Sequence, residues 1–354
     1  MIQSVSAVDG KAQVAIIGAG PLGLEIAISL KRSGISYLHF DKGQVAQAIY
    51  NFPIGTHFYS YPECISLASI PIQTANQQKC SREEYLAYVR SIVSCFDLSI
   101  STYEEVIAVR KESDIFFIKT RSNQGTKEYQ AEFLIIATGS TSKSKKLNVP
   151  GEGLDHVHEK LKDPHYYFRK KVAIIGGKNS AVEDALRCYQ AKAEVTLITR
   201  KEHFKENEVK YWLLPELLGR IKRKEMTCYY ASHLIEIRPN QVVFQNQGVK
   251  QEIEADFVIK AIGFEANLSL LEKIGVSLKG KQRIPFFSPS TMETNIPQVY
   301  VLGTVTGGNQ KVYRAFIENT HIHVERILND LSAKLQKTII PYYTKLRRSR
   351  APEQ

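Results

Sequence analysis

Two stretches of the chain open alike: VAIIGAGPLGLEIA at residues 14–27 and VAIIGGKNSAVEDA at residues 172–185. Each begins with a short apolar run ending in glycine, as a strand buried in a parallel sheet does. Behind the first run, Leu24, Ala27 and Ile28 fall at helical spacing while Glu25, Ser29 and Arg32 face the other way, which predicts an amphipathic helix. Pro21 suits its first turn, where the missing N–H breaks no helical bond, and Gly34 ends it. Residues 37–41 read as the next strand. The plan restarts at Lys171: a strand over 172–175, a stripe of Val182, Ala185, Leu186 and Tyr189, and a strand over 194–199. The fold class is therefore α/β, with two Rossmann-like dinucleotide-binding units.

In the first turn Gly18 permits the tight bend, Gly20 lets a pyrophosphate approach the backbone, and Gly23 lets helix and strand pack closely. The helix N-terminus offers N–H groups and a positive dipole end to the phosphates. Asp41, 18 residues after Gly23, stands where a carboxylate accepts hydrogen bonds from a ribose diol. The second turn is Gly176-Gly177-Lys178-Asn179-Ser180-Ala181, with alanine for the last glycine and a lysine in place of the second. Where the first unit has Asp41, this one has Arg200-Lys201. An acid there would repel a 2′-phosphate, whereas a guanidinium grips it in forked, charge-assisted bonds. Read as ordinary surface charges, the same two residues would only keep the strand end hydrated. The pair of turns points to two different dinucleotides, the more anionic being NADPH, and hence to hydride exchange between a nicotinamide and a flavin. A flavin takes hydride at its own ring, so no protein acid or base is obligatory. No Ser/His/Asp constellation stands out, and His156, His158, His165, His321 and His323 lack metal-ligand spacing, so no metal is expected.

The 354 residues can bury a substantial core, and 43% hydrophobic with 23% charged is the composition of a globular protein. No apolar run is long enough for a membrane span, and the start of the chain, MIQSVSAVDGKAQ, has no signal-peptide core. Five cysteines without regular spacing suggest reduced thiols and a cytoplasmic setting. Net charge is +11, but the basic runs KSKK at 143–146, RIKRK at 220–224 and KLRRSR at 345–350 come with no nucleic-acid signature. They read as solvated surface, with neither nucleic acid nor membrane as partner; attraction of small anions, or of an acidic electron-carrier protein, fits the charge. A homo-oligomer is expected.

Further segments carry a resemblance. FLIIATG at 133–139, DFVIKAIGF at 256–264 and VYVLGTV at 299–305 resemble the conserved strands of two-dinucleotide-domain flavoproteins. More narrowly, AIYNFPIGTHFYS at 48–60, IGGKNSAVEDAL at 175–186, WLLPE at 212–216, TMETN at 291–295 and AFIEN at 315–319 are similar to the YpdA-type family of bacillithiol disulfide reductases, relatives of thioredoxin reductase. The resemblance spans about residues 12–330 and accounts for Lys178, because that family carries GGKNS. It implies FAD, NADPH and reduction of a small disulfide. It places FAD against Gly18, Gly20, Pro21, Leu22, Gly23, Asp41, Lys42, Asn51, Thr138, Gly139, Gly303 and Thr304. It places NADPH against Gly176, Gly177, Lys178, Asn179, Ser180, Ala181, Arg200, Lys201 and Gly263. It also implies an FAD domain built from 1–149 and 288–354 with an NADPH domain, 150–287, inserted at the polar stretch STSKSKKLNVPGEG, 140–153.

Three positions depart from the pattern. Thiol-active members carry a cysteine after the proline of the first turn, where this chain has Leu22. Thr304 stands where the superfamily has an aspartate, although the narrower family generally lacks it too, and the thioredoxin-reductase CxxC is absent. Cys64, in SYPECISL, lies in the segment that passes near the flavin in the superfamily; it is either a redox thiol or an incidental one. Cys80, Cys95, Cys188 and Cys228 are expected to pack. The main reading is an NADPH-dependent flavoprotein oxidoreductase. A ferredoxin or flavodoxin reductase, a flavin monooxygenase, or a flavoprotein that senses NADPH without turnover could use the same scaffold. The monooxygenase linker motif is not found, since residues 151–158 read GEGLDHVH.

Overall fold

The computed structural model describes residues 10–206, 208–310 and 315–341; the basic run at 345–350 lies outside them. The described residues divide into two compact units, 10–143 with those from 265 to 341, and those from 144 to 264.

The first unit is built on strands β1 (Lys11–Ile17), β2 (Tyr37–Phe40), β3 (Glu105–Glu112), β4 (Ile115–Ser122) and β5 (Gly125–Ile136), in the order β2-β1-β5-β4-β3. β1 pairs in parallel with both β2 and β5, while β3, β4 and the start of β5 form an antiparallel meander. The far end of β5 takes another partner: Val299–Val301 pairs in parallel with Leu134–Ile136. The second half of β1, Val14–Ile17, is apolar throughout because both its faces are covered. Val14 and Ile16 join one core with Leu24, Ala27 and Ile28 of helix α1 (Pro21–Arg32) and with Val324 and Ile327 of the helix Ile317–Leu335. Ala15 and Ile17 join a second core with Leu134, Leu268, Leu271 and Val276.

That second core moves a boundary. The return to the first unit falls at 264/265, not at 287/288, because Ala266, Leu268, Leu271 and Val276 are buried against Leu134, Val299 and Val301 of the first sheet. The outward crossing lies at 143/144, where 149/150 is expected from the polar stretch.

The second unit holds a parallel sheet in the order Thr227–Tyr229, Glu194–Ile198, Lys171–Gly176, Phe257–Ala261, Val157–His158. A three-stranded antiparallel sheet, Ser232–Arg238, Gln241–Asn246 and Val249–Glu254, accompanies it. Alternate residues of the central strand again serve two cores, Val172 and Ile174 in one and Ala173 and Ile175 in the other.

Two expectations fail at single residues. Glu25 and Ser29 do not face solvent; they are 1% and 0% exposed, because α1 is covered on its second side as well. Glu25 Oε1 accepts from the Ala68 N–H at 3.4 Å, and its Oε2 meets His321 Nδ1 of the helix Ile317–Leu335. Among the thiols, Cys80 and Cys188 are buried, but Cys95 is exposed at the last position of its helix rather than packed in a core. In the run at 220–224, Arg220 and Arg223 both pair with Glu225, as solvated surface charges do. Among the described residues no helix is long and apolar enough to cross a membrane.

Candidate functional site

In the first unit the turn between β1 and α1 has no room for a side chain at two of its three glycines. A Cβ on Gly18 would stand 2.4 Å from the Ala137 carbonyl oxygen, and one on Gly23 2.0 Å from the Gly18 carbonyl oxygen. At Gly20 a Cβ would meet nothing within 4 Å. The backbone is thus packed behind the turn and open in front of it, as a phosphate-binding turn requires. Pro21 opens the helix, and the N–H groups of Leu22 and Gly23 fall in its first turn, where no intrahelical acceptor exists.

Asp41, just past β2, braces the same turn: its Oδ2 accepts from the Ala19 N–H at 2.7 Å and its Oδ1 from the Gly43 N–H at 2.8 Å. Each oxygen keeps a second lone pair for a sugar hydroxyl. Burial pushes this carboxyl up, and the two N–H groups and Lys42 oppose that shift. Lys42 itself is exposed, and Asn51, also exposed, accepts from Gln47 at 3.2 Å. His39, two residues before Asp41, carries no signal in the sequence. It is fully enclosed, and its Nε2 lies 3.0 Å from the Gly18 carbonyl oxygen. A carbonyl only accepts, so Nε2 holds the proton and the ring is neutral, with burial lowering its pKa to about 4.

Two further segments reach this turn. Gly303, in the left-handed region at φ +77°, would place a Cβ 3.5 Å from that of Leu22. Gly139, at φ +73°, would place one 3.6 Å from Thr304 Oγ1. Thr138 Oγ1 is buried with no hydrogen-bonding partner among the described residues. An orphaned hydroxyl beside an open glycine turn suits a polar cofactor, and these residues fit FAD. Leu22 is 5% exposed and part of the apolar core. Cys64 sits half-buried in the short helix Pro62–Ile65, and its carbonyl lies 3.2 Å from His321 Nε2. The Glu25–His321 pair thus ties α1 to the Cys64 segment, which no spacing in the sequence announces.

The second unit repeats the logic with other chemistry. A Cβ on Gly176 would lie 2.4 Å from the Ala261 carbonyl oxygen and 2.8 Å from the Ala181 methyl, and one on Gly177 2.4 Å from Thr199 Oγ1. Lys178, extended at φ −125°, caps the helix Asn179–Gln190. Lys178 and Ser180 are exposed, while Asn179 Oδ1 accepts from the Lys210 N–H at 2.7 Å. Past the next strand Arg200 is exposed, and Lys201 Nζ is 2.5 Å from Glu208 Oε2. Gly263, at φ +88°, closes the site's edge, with the Lys145 amine 3.9 Å from where its Cβ would stand. A helix N-terminus ringed by cations fits a 2′-phosphorylated dinucleotide.

Two parallel-sheet units, each with a glycine turn feeding a helix N-terminus, one closed by a carboxylate and the other by cations, define a flavoprotein oxidoreductase that uses FAD and NADPH. The chain belongs to the pyridine nucleotide-disulphide oxidoreductase family, whose model matches residues 15–303. It is 34% identical over 321 residues to the bacilliredoxin reductase Bdr of Bacillus subtilis (strain 168), covering 90% of this chain and 97% of that protein. The bacillithiol disulfide reductase Bdr (YpdA) of Bacillus cereus superposes with a TM-score of 0.87 at 33% identity, over 92% of this chain and 99% of that one. A ferredoxin–NADP reductase of Ignicoccus hospitalis is 26% identical, over 84% of this chain and 91% of that protein.

Proposed function

We propose that this flavoprotein works in the cytoplasm as a homo-oligomer, passes electrons from NADPH to a small disulfide, and does so without a thiol in its first glycine turn. Bound FAD supplies the two-electron relay at its ring. The chain's own residues hold and orient: the first turn, Asp41, Thr138, Gly139, Gly303 and Thr304 would grip FAD, with Lys42 and Asn51 at the rim. The second turn, Arg200, Lys201 and Gly263 would grip NADPH. The overall reaction balances as NADPH, one proton and one disulfide giving NADP⁺ and two thiols.

Leu22 carries the finer part of this reading. In disulfide reductases a thiolate normally attacks the substrate sulfur and forms a mixed disulfide. Leu22 cannot attack, and it occupies the helix terminus whose dipole would lower a thiol's pKa. Cys64 is then the candidate relay. Its thiolate would displace one thiolate from the substrate, and two electrons originating from NADPH would cleave the mixed disulfide, freeing the second. A protein electron carrier is the second reading, favoured by the net charge of +11 and by the missing thiol at position 22.

The test is NADPH consumption with and without bacillithiol disulfide, and with ferredoxin as an alternative acceptor. Fast NADPH oxidation in the presence of an artificial acceptor and slow disulfide turnover are expected. Leu22→Cys should raise disulfide turnover at least about tenfold, and Cys64→Ser should remove what the unmodified protein has. Brisk disulfide turnover untouched by Cys64→Ser would refute the thiol assignment.

A further inference from the structure

The cationic end of the second unit contains an acid that the dinucleotide does not need. Glu208 Oε2 lies 2.5 Å from Lys201 Nζ. The Lys201 bond holds its carboxyl below the ordinary carboxylate range, with the charges of Lys178 and Lys205 adding to the effect. Lys201 alone contacts this carboxylate, the charges of Lys178 and Lys205 act on it from further away, and Arg200 beside Lys201 is exposed. The segment bearing it is tied to the turn: the Lys210 N–H donates to Asn179 Oδ1 at 2.7 Å, and Asn179 begins the helix that follows the second glycine turn.

A carboxylate and a phosphate are both oxyanions, and each satisfies an ammonium group in the same way. One lysine amine cannot point fully at both, and whichever anion is displaced remains beside a like charge. We propose that Glu208 is an internal competitor for the 2′-phosphate: it occupies Lys201 when no dinucleotide is bound and is displaced when a 2′-phosphorylated one enters. This rests on the reading of Arg200 and Lys201 as the 2′-phosphate grip. Its consequence is selective. Glu208 weakens binding of NADPH and leaves NADH, which has no 2′-phosphate, unaffected. The chain thereby moderates its own cofactor preference and keeps Lys201 paired between turnovers.

Calorimetric titration of the FAD-loaded protein with adenosine 2′,5′-bisphosphate and with 5′-AMP tests this without any turnover. Glu208→Gln is expected to tighten the bisphosphate by roughly five- to thirtyfold and to leave 5′-AMP within about twofold. The gain should shrink at high salt, because the repulsion it removes is partly screened. Glu208→Ala should act in the same direction, and circular dichroism of both variants checks that they fold. If the unmodified protein prefers the bisphosphate and neither variant tightens it, the competitor role is wrong while the phosphate grip stands. If neither the unmodified protein nor the variants prefer the bisphosphate over 5′-AMP, the grip itself is misassigned and the proposal falls with it.

Discussion

Gly20 and Gly23 are neighbours in one turn, yet an added methyl group means opposite things at each. At Gly20 it enters open space, and at Gly23 it lands 2.0 Å from a carbonyl oxygen. Gly20→Val is therefore expected to fold within about 1 kcal/mol of the unmodified apoprotein, the cost of a poor helix cap, and yet to purify colourless. Gly23→Ala should cost about 1–3 kcal/mol even without flavin, as overpacking does. Visible absorption and urea midpoints of the two apoproteins separate the cases. A yellow Gly20→Val protein would move the pyrophosphate away from this turn.

At the scale of elements, β2 and the loop after it hold the first turn from below through His39 and Asp41, and this gives the unit a pH dependence. An unfolded histidine takes up its proton near pH 6.5, whereas folded His39 does so at about 4. Between those values the unfolded chain binds more protons. The stability that neutral His39 contributes is complete above about pH 6.5 and is lost as pH falls toward 4, at no more than about 1.4 kcal/mol per pH unit. Denaturation series from neutral to mildly acid pH should show this slope, and His39→Gln, whose amide can donate to the Gly18 carbonyl, should remove one proton's share of it. An unchanged slope in the variant would place the titrating group elsewhere. β1, α1 and β2 were legible in the sequence because glycine spacing and apolar runs are local signals. The burial of Glu25 was not legible. A helical wheel assumes one covered face, and α1 is covered on a second side by a helix 296 residues away, through His321. Glu208 was hidden for a similar reason, since an acid in a basic stretch reads as surface until it is seen against Lys201. Asp41 and the cations at 200–201 could be named as candidates from strand ends alone, because strand ends gather ligands in this class of sheet, and Gly139 from the family resemblance.

Across the whole molecule, each unit has its own sheet and its own cores, and each turn lies within one unit. Ligand linkage should therefore be separable. Calorimetry is expected to resolve two unfolding transitions. FAD raises one, and NADP⁺ at a hundred times its Kd stabilises the other by about 2.7 kcal/mol. A single transition that both ligands shift equally would mean that the units unfold together. The division has a further consequence, in the order of synthesis. Strand β5 must wait for Val299–Val301, and 299 − 136 − 1 leaves 162 residues between Ile136 and Val299. At translation rates of about 5–20 residues per second, that wait lasts roughly 8–30 s. Residues 144–264 emerge entirely within it and complete their own sheet first, while the edge of β5 at Leu134–Ile136 stands open, apolar and unpaired. Gly303 and Thr304 leave the ribosome later still, so residues 144–264 fold before the first glycine turn meets its last neighbours.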